Sequence, residues 1–165
     1  MKTITVDAFD QESIDKAIAE LEAYKKSLKD KCIKLIELMC REGEQYAKNW
    51  FAGHLWTGAT QETIMGYREG DVGLVVAGGA AAWIEFGTGT QAGQWPYPGD
   101  GKPAGWEHGS FGEGHGNDPN GWTYYDEAFG RYIHTKGHIT DPFMWDTAQT
   151  LKDELHNYAK KVFNG

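Results

Sequence analysis

The chain has 165 residues, 40% of them hydrophobic, and a formal net charge of −8 at pH 7. This length predicts a single domain over residues 1–165 that can bury a core without disulfides or metals. The acidic charge argues against nucleic acid as a primary partner, because phosphate binding needs clustered Lys and Arg. No apolar run reaches the roughly 18 residues that span a membrane. The N-terminus lacks the apolar segment of a signal peptide, which predicts a cytoplasmic location.

Residues 10–52 carry the strongest periodic signal and predict a helical segment with Asp10 or Ser13 as its N-cap. A single helix of this length extends about 60 Å, whereas a compact domain of this size has a radius of gyration of about 15 Å. Two interpretations follow: two packed core helices with a break near Ser27, or one long helix shared with an oligomer. The apolar positions recur every 3.6 residues: Ile14, Ile18, Leu21, Tyr24, Leu28, Cys32, Leu35, Met39, Gly43, Tyr46 and Trp50.

The two cysteines, Cys32 and Cys40, are eight residues apart on this helical segment. Their separation along the helix is about 12 Å, and a disulfide needs Cα atoms within about 7 Å. We therefore expect two buried, unpaired thiols.

Residues 60–86 follow as a hairpin and motif segment. Segments 60–68 and 72–77 are rich in strand-forming residues and flank a Glu-Gly-Asp turn, which predicts a β-hairpin. Residues 80–86 are compatible with either a strand or a short helix.

Residues 87–121 predict a long loop, because they hold 11 of the 22 glycines and four of the five prolines. Trp95 and Trp106 lie in this loop. Tryptophan is a frequent interface anchor, so both are candidate interface residues. The alternative is that they fold back over the domain's own core.

Residues 122–140 predict short strands, and residues 141–163 predict a C-terminal helix with Asp141 as N-cap and Pro142 at its first position. The predicted fold class is therefore α+β. It combines a long N-terminal helical segment, a small antiparallel β-sheet, a long Gly/Trp-rich loop and a C-terminal helix.

Side chains that could carry chemistry are few. His134 and His138 are four residues apart and could join a loop acid or histidine in a zinc site, but no tight ligand motif accompanies them. Further candidates of this kind are Glu107, His108, Glu113, His115 and Asp118. Glu85 is a lone acid in an apolar run, which is more typical of a carboxylate held by backbone donors or by Arg68 or Arg131 than of a catalytic group. We predict no catalytic, cofactor-binding or metal-binding residue.

One segment and one helix start carry a family resemblance. Trp83-Ile84-Glu85-Phe86-Gly87-Thr88 is followed, beyond the loop, by Pro142-Phe143 at the start of the last helix. This arrangement resembles the tail completion (head-to-tail joining, neck) proteins of long-tailed bacteriophages and prophages, over roughly residues 10–163.

The resemblance implies a virion structural protein without enzymatic activity or cofactors. It implies self-association into a ring, with a hexamer suspected, that caps the tail tube and contacts the head connector. The protein would reside in the host cytoplasm during assembly and then at the head-tail junction. In this interpretation Trp83, Phe86 and Phe143 are core residues. Two alternatives stay open: a small zinc-dependent hydrolase using His134 and His138, and a carbohydrate-binding module using the loop tryptophans.

Overall fold

The computed structural model describes residues 3–51, 59–91, 97–98, 118–127 and 129–164. In this part of the chain the helices are α1 (Gln11–Phe51), α2 (Ala59–Glu62), α3 (Ala81–Phe86) and α4 (Phe143–Asn164). The strands are β1 (Met65–Glu69), β2 (Val72–Val76), β3 (Thr88–Gly89), β4 (Trp122–Asp126), β5 (Arg131–Thr135) and β6 (Gly137–His138). The predicted α+β class, with its long first helix and C-terminal helix, is confirmed.

Helix α1 is continuous over 41 residues, so the prediction of two helices with a break near Ser27 is wrong. Asp10 is the N-cap, since its Oδ1 accepts a hydrogen bond from the amide of Glu12 at 3.2 Å. No proline or glycine interrupts residues 11–42, and the 3.6-residue apolar period continues without a shift. A local cap sequence cannot end a helix whose apolar stripe continues on the same face.

Helix α4 packs along the C-terminal part of α1 in the opposite direction. The rings of Trp50 and Phe143 stack with centroids 5.2 Å apart at one end of this contact. At the other end, Lys31 Nζ donates a hydrogen bond to the carbonyl of Phe163 at 2.8 Å. The buried core lies where α1 ends, and it consists of Ala47, Phe51, Ile64, Ala81 and Phe143.

The strands form three separate two-stranded antiparallel sheets instead of one small sheet. Strand β1 pairs with β2, β4 with β5, and β3 with β6. The β1–β2 hairpin packs on α1. It starts later than predicted, because residues 59–62 form the short helix α2. The predicted loop also differs at its start, where Thr88 and Gly89 form β3.

The N-terminal half of α1 (residues 11–34), which we call the projecting half, reaches beyond the end of α4 near Lys31. Residues 21–30 are exposed throughout, including Leu21, Tyr24 and Leu28 of the apolar stripe. Cys32 is exposed as well, whereas Cys40 is buried, and neither forms a disulfide. The prediction of a buried Cys32 is therefore wrong, because α4 ends too early to cover it. Cys40 is covered by β1, where its thiol donates a hydrogen bond to the carbonyl of Tyr67.

Candidate functional site

Glu85 connects the motif segment to the start of α4. Its Oε2 accepts a hydrogen bond from the amide of Met144 at 2.8 Å, and its Oε1 accepts one from the amide of Trp145 at 3.0 Å. The first amides of a helix have no partner within the helix, and the helix dipole favours a negative charge there. Glu85 therefore caps a helix that begins almost sixty residues further along the chain.

The carboxylate of Glu85 is buried, with 4% of the residue exposed. Tyr97 completes its environment, because the hydroxyl donates a hydrogen bond to Oε1 at 2.9 Å. Burial raises the pKa of Glu85, and the three hydrogen bonds act against that rise. The pKa of Tyr97 is also raised, by its burial and by its bond to Glu85, so the hydroxyl remains a donor at neutral pH. Both carboxylate oxygens are occupied, which indicates a structural use of this acid.

Backbone contacts continue the connection on both sides of Glu85. The amide of Asp141 donates to the carbonyl of Ile84 at 3.0 Å, and the hydroxyl of Thr140 donates to the carbonyl of Phe86 at 3.2 Å. Further on, Thr88 pairs with His138 in the β3–β6 ladder. The two segments that carry the family resemblance thus form one continuous unit, which we call the motif junction (residues 83–90 and 136–145).

Two facing glycines allow the strands of the motif junction to approach closely. Gly89 and Gly137 are paired in the ladder and have φ angles of 59° and 106°, which L-residues with side chains rarely adopt. A Cβ at Gly89 would collide with the backbone of Lys136 and lie 2.9 Å from the Trp122 ring. The second glycine of the Gly-Thr-Gly sequence is therefore required by packing and backbone conformation.

The predicted core residues of the motif have three different outcomes. Phe143 is buried, as predicted, with 1% exposed. Phe86 is half-buried against the ring of Tyr97, at a centroid distance of 4.8 Å. Trp83 is 49% exposed, so its assignment to the core is wrong. Helix α3 buries Ala81 and Glu85, which are four residues apart and therefore on one face. Trp83 lies midway between them in the sequence, so its side chain points away from that face.

The sequence predicts backbone donors or an arginine as partners of Glu85, and among the described residues its partners are two backbone amides and the Tyr97 hydroxyl. Arg68 pairs with Glu37 at 3.4 Å, and Arg131 lies over the ring of Phe129. Tyr97 was not identified from the sequence. Its one local signal is its position between two prolines, Pro96 and Pro98, which restrict the backbone around it.

The start of α4 also differs slightly from the prediction. The helix begins at Phe143, and its second and third amides bond to Glu85. The sequence Asp141-Pro142 correctly marks a helix start, but the acceptor that caps these amides comes from α3. A local sequence pattern cannot identify an acceptor from a distant segment.

The two histidines of the hydrolase alternative lie on different strands. His134 on β5 has both ring nitrogens in hydrogen-bond contact, Nδ1 with the Thr123 hydroxyl at 3.1 Å and Nε2 with the Asn120 carbonyl at 2.9 Å. His138 on β6 has Nδ1 2.6 Å from the carbonyl of Ile139. Within the described ranges, no group of three or more His, Cys, Asp and Glu residues is arranged to hold a metal. Of the remaining candidates, Asp118 lies within the described ranges. The others lie outside them: Glu107, His108, Glu113 and His115.

Trp95 and Trp106, the candidate interface residues, also lie outside the described residues. A shallow groove of about 250 Å³ lies elsewhere, between α1 and β1. Its volume is below the ~300–1,000 Å³ of typical small-molecule sites. The groove shares no residue with the motif junction and is lined by Glu37, Cys40, Arg41, Glu44, Gln45, Gly66, Tyr67 and Arg68.

No helix in the described part of the chain has the length and apolar character needed to cross a membrane. Comparisons with protein-family models, with curated proteins and with solved structures gave no match.

Proposed function

We propose that this chain is a structural protein of the head-tail junction of a long-tailed bacteriophage. It caps the tail tube, links it to the head connector and performs no catalysis. During assembly it resides in the host cytoplasm, and it then becomes part of the virion. It self-associates into a ring on the tail, with a hexamer as the expected size.

The bond between Glu85 and the start of α4 is the observation that carries this proposal. The sequence resemblance depends on two short segments that are far apart in the chain, Trp83–Thr88 and Pro142–Phe143. These segments meet in the motif junction, where Glu85 binds the amides of Met144 and Trp145. This explains why a buried acid and a Pro-Phe helix start belong together in one pattern. In this arrangement Glu85 connects two segments of the fold and takes part in no reaction.

Exposed apolar side chains provide this protein with surfaces that can contact neighbouring proteins. Trp83 on α3 is one, and the projecting half of α1 presents Leu21 and Tyr24. Apolar groups rimmed by charges are typical of protein-protein contact sites. An assembly protein needs several such surfaces, because it contacts its own copies and two different partners.

The proposal is tested by deleting the gene in the phage that carries it and examining the lysate by electron microscopy. We expect filled heads beside separate, complete tails, and joined virions again when the wild-type protein is supplied. Complementation with Trp83→Ser tests one exposed contact residue, and Tyr132→Ser is the matched control, since Tyr132 on β5 is 75% exposed.

Joined virions in the deletion lysate would disprove the joining role. In that case, metal analysis of the purified protein, together with His138→Ala, would examine the hydrolase alternative. Quenching of tryptophan fluorescence by oligosaccharides would examine the carbohydrate-binding alternative.

A further inference from the structure

The projecting half of α1 carries an apolar stripe that is exposed from Ile18 to Leu28, whereas Ile14 and Ala17 near its start are partly or fully buried. Ile18, Leu21, Tyr24 and Leu28 are between 41% and 59% exposed. Ile14, Ile18, Leu21, Leu28 and Cys32 follow the alternating four- and three-residue spacing of a coiled-coil seam, with Lys25 at the one polar seam position. Residues 35–51 of the same helix are covered by α4 and the β1–β2 hairpin. The stripe therefore continues beyond its own intramolecular partner.

The charges on this half are separated along the helix. Residues 11–22 carry four acids and one base, whereas residues 23–34 carry five bases and one acid. In a parallel pair of such helices, acidic segments would face acidic segments and basic would face basic. In an antiparallel pair, each acidic segment faces the basic segment of the other helix.

We propose that the projecting half of α1 binds the same segment of a second copy of this chain, as an antiparallel two-helix coiled coil centred on Ala23. This is a two-fold, self-complementary contact, distinct from the ring contact of the proposed function and independent of it.

This register makes both the seam and the charges complementary. Ile18 lies level with Leu28 of the second copy, and Ile14 lies level with its Cys32. Four pairs of opposite charge lie at the same height along the axis: Glu12 with Lys34, Asp15 with Lys31, Lys16 with Asp30, and Glu20 with Lys26. At the positions that flank the seam, Asp15 faces Lys29 of the second copy, and Glu22 faces Glu22 of that copy. The single polar seam residue, Lys25, lies level with Leu21 near the centre, where a polar group can define register at some cost in stability.

The end of α4 supports the same arrangement. Helix α4 runs antiparallel to α1 and ends near Lys31, as the bond from Lys31 to Phe163 shows. The second copy's α1 would run in the same direction as α4 and begin beside its last turn, because its Gln11 lies level with Leu35. Its acidic first turn would then meet the C-terminal end of α4, which carries Lys160 and Lys161. The facing helix termini have opposite dipole ends, so this contact is attractive.

Sedimentation velocity over about a hundredfold range of protein concentration tests the pairing. We expect a reversible monomer–dimer equilibrium for the wild type. Leu21→Gln should raise the dissociation constant by about tenfold or more. The matched control is Leu155→Gln, because Leu155 is an exposed leucine on α4 with 43% exposure, and it should leave the dissociation constant unchanged.

Charge exchange tests the complementarity. One variant carries Lys25→Glu, Lys26→Glu and Lys29→Glu, and the other carries Asp15→Lys, Glu20→Lys and Glu22→Lys. Each variant alone should be monomeric, since over residues 11–34 eight acids then face three bases in the first variant and nine bases face two acids in the second. Their equimolar mixture should form a dimer. Circular dichroism confirms that both variants remain helical.

Disulfide formation tests the orientation. Ile18→Cys and Leu28→Cys are prepared separately, each with Cys32→Ser. In the antiparallel pair, equivalent cysteines are about 15 Å apart along the axis, too far for a disulfide. Neither variant alone should therefore form a covalent dimer, whereas their mixture should form one.

Three results would overturn the proposal: a monomer at every concentration, covalent dimers from either single-cysteine variant alone, or association that Leu21→Gln and the charge variants leave unchanged. The joining role is measured separately, by gene deletion. A normal deletion phenotype with an intact dimer would reject that role and retain the coiled coil.

Discussion

At the scale of single residues, Glu85 shows how one side chain can hold two distant segments of a small domain together. It lies in a six-residue helix, and its hydrogen bonds reach residues 59 and 60 positions away. Removing one partner from a buried hydrogen-bonded set leaves the other groups unsatisfied, which costs more than the bond itself contributes. The stability of α4 on the core therefore depends on an acid outside that helix.

Replacing Glu85 should destabilise the protein in a graded way. Glu85→Ala leaves two helix-start amides and the Tyr97 hydroxyl without their acceptor, and we expect a loss of about 2–4 kcal/mol in the free energy of unfolding. Glu85→Gln retains one acceptor oxygen and should cost about 1–2 kcal/mol. Urea denaturation measures both. Glu69→Gln, at an exposed strand position, is the control and should change little. Equal stability of Glu85→Ala and wild type would contradict the capping role.

Gly70 and Gly89 have the same positive φ angle, so their alanine variants distinguish the cost of that angle from the cost of a close contact. Gly70 and Gly89 both have φ of +59°, but a Cβ at Gly70 would have no atom within 4 Å, whereas one at Gly89 would meet Lys136 and Trp122. Gly70→Ala should cost about 1–2 kcal/mol from the backbone alone. Gly89→Ala should cost clearly more, because β3 and β6 must also separate. Thermal unfolding of the two variants measures the difference, and equal losses would show that the contact is unimportant.

At the scale of elements, α1 is one helix with two different environments. Residues 35–51 are held by α4 and the β1–β2 hairpin, and Cys40, Gly43 and Ala47 are buried there. Residues 21–30 have no buried position. A helix of that length without tertiary packing is marginal in water, so its stability depends on continuity with the packed half.

Amide hydrogen exchange should reveal this division. At a protein concentration where sedimentation shows a monomer, we expect amides of residues 21–30 to exchange much faster than those of residues 36–51. Residues 21–30 have no buried position, so their local opening loses little packing, whereas opening of residues 36–51 breaks the core. The packed half serves as the internal control. Uniform protection along the monomer's α1 would show that the projecting half is stabilised in some other way.

At the scale of the whole molecule, two tyrosines connect α4 to the rest of the fold. Tyr97 binds Glu85 at the N-terminal end of α4, and Tyr158 lies with its hydroxyl 3.1 Å from that of Tyr46 on α1. Burial raises the pKa of Tyr158, and the contact with Tyr46 raises it further. The pKa of Tyr97 is raised as well, first by burial. Both groups are therefore held in the protonated form by the fold.

These raised pKa values predict a loss of stability in alkali. Above pH 10, the ordinary pKa of tyrosine, the unfolded chain loses these protons while the folded chain retains them. The folded state then binds more protons, so the free energy of unfolding falls as pH rises. Tyr158→Phe and Tyr97→Phe should each reduce this slope in denaturation curves measured from pH 8 to pH 11. Tyr132→Phe is the exposed control, and a slope unchanged by the first two variants would contradict the linkage.

Much of the fold was predictable because the relevant forces are local. The period of apolar residues predicted α1 and α4, and the Glu-Gly-Asp turn predicted the hairpin β1–β2. Strands β4 and β5 were predicted as short strands, without their pairing. Asp10 was predicted as one of two possible caps of α1, since an N-cap bonds within its own turn. Phe143 is buried as expected, although this expectation came from the family resemblance and not from a local pattern.

The sequence by itself determined the type and approximate position of most elements, because hydrogen bonds within helices and hairpins depend on neighbouring residues. The tertiary structure decided the rest. It determined which acceptor caps α4, because that acceptor is on α3. It placed Trp83 outside, because Ala81 and Glu85 occupy the buried face of α3. It also left the first half of α1 uncovered, because α4 is 22 residues long and α1 is 41. Local periodicity marks an apolar face, but the length of the packing partner determines how much of that face is buried.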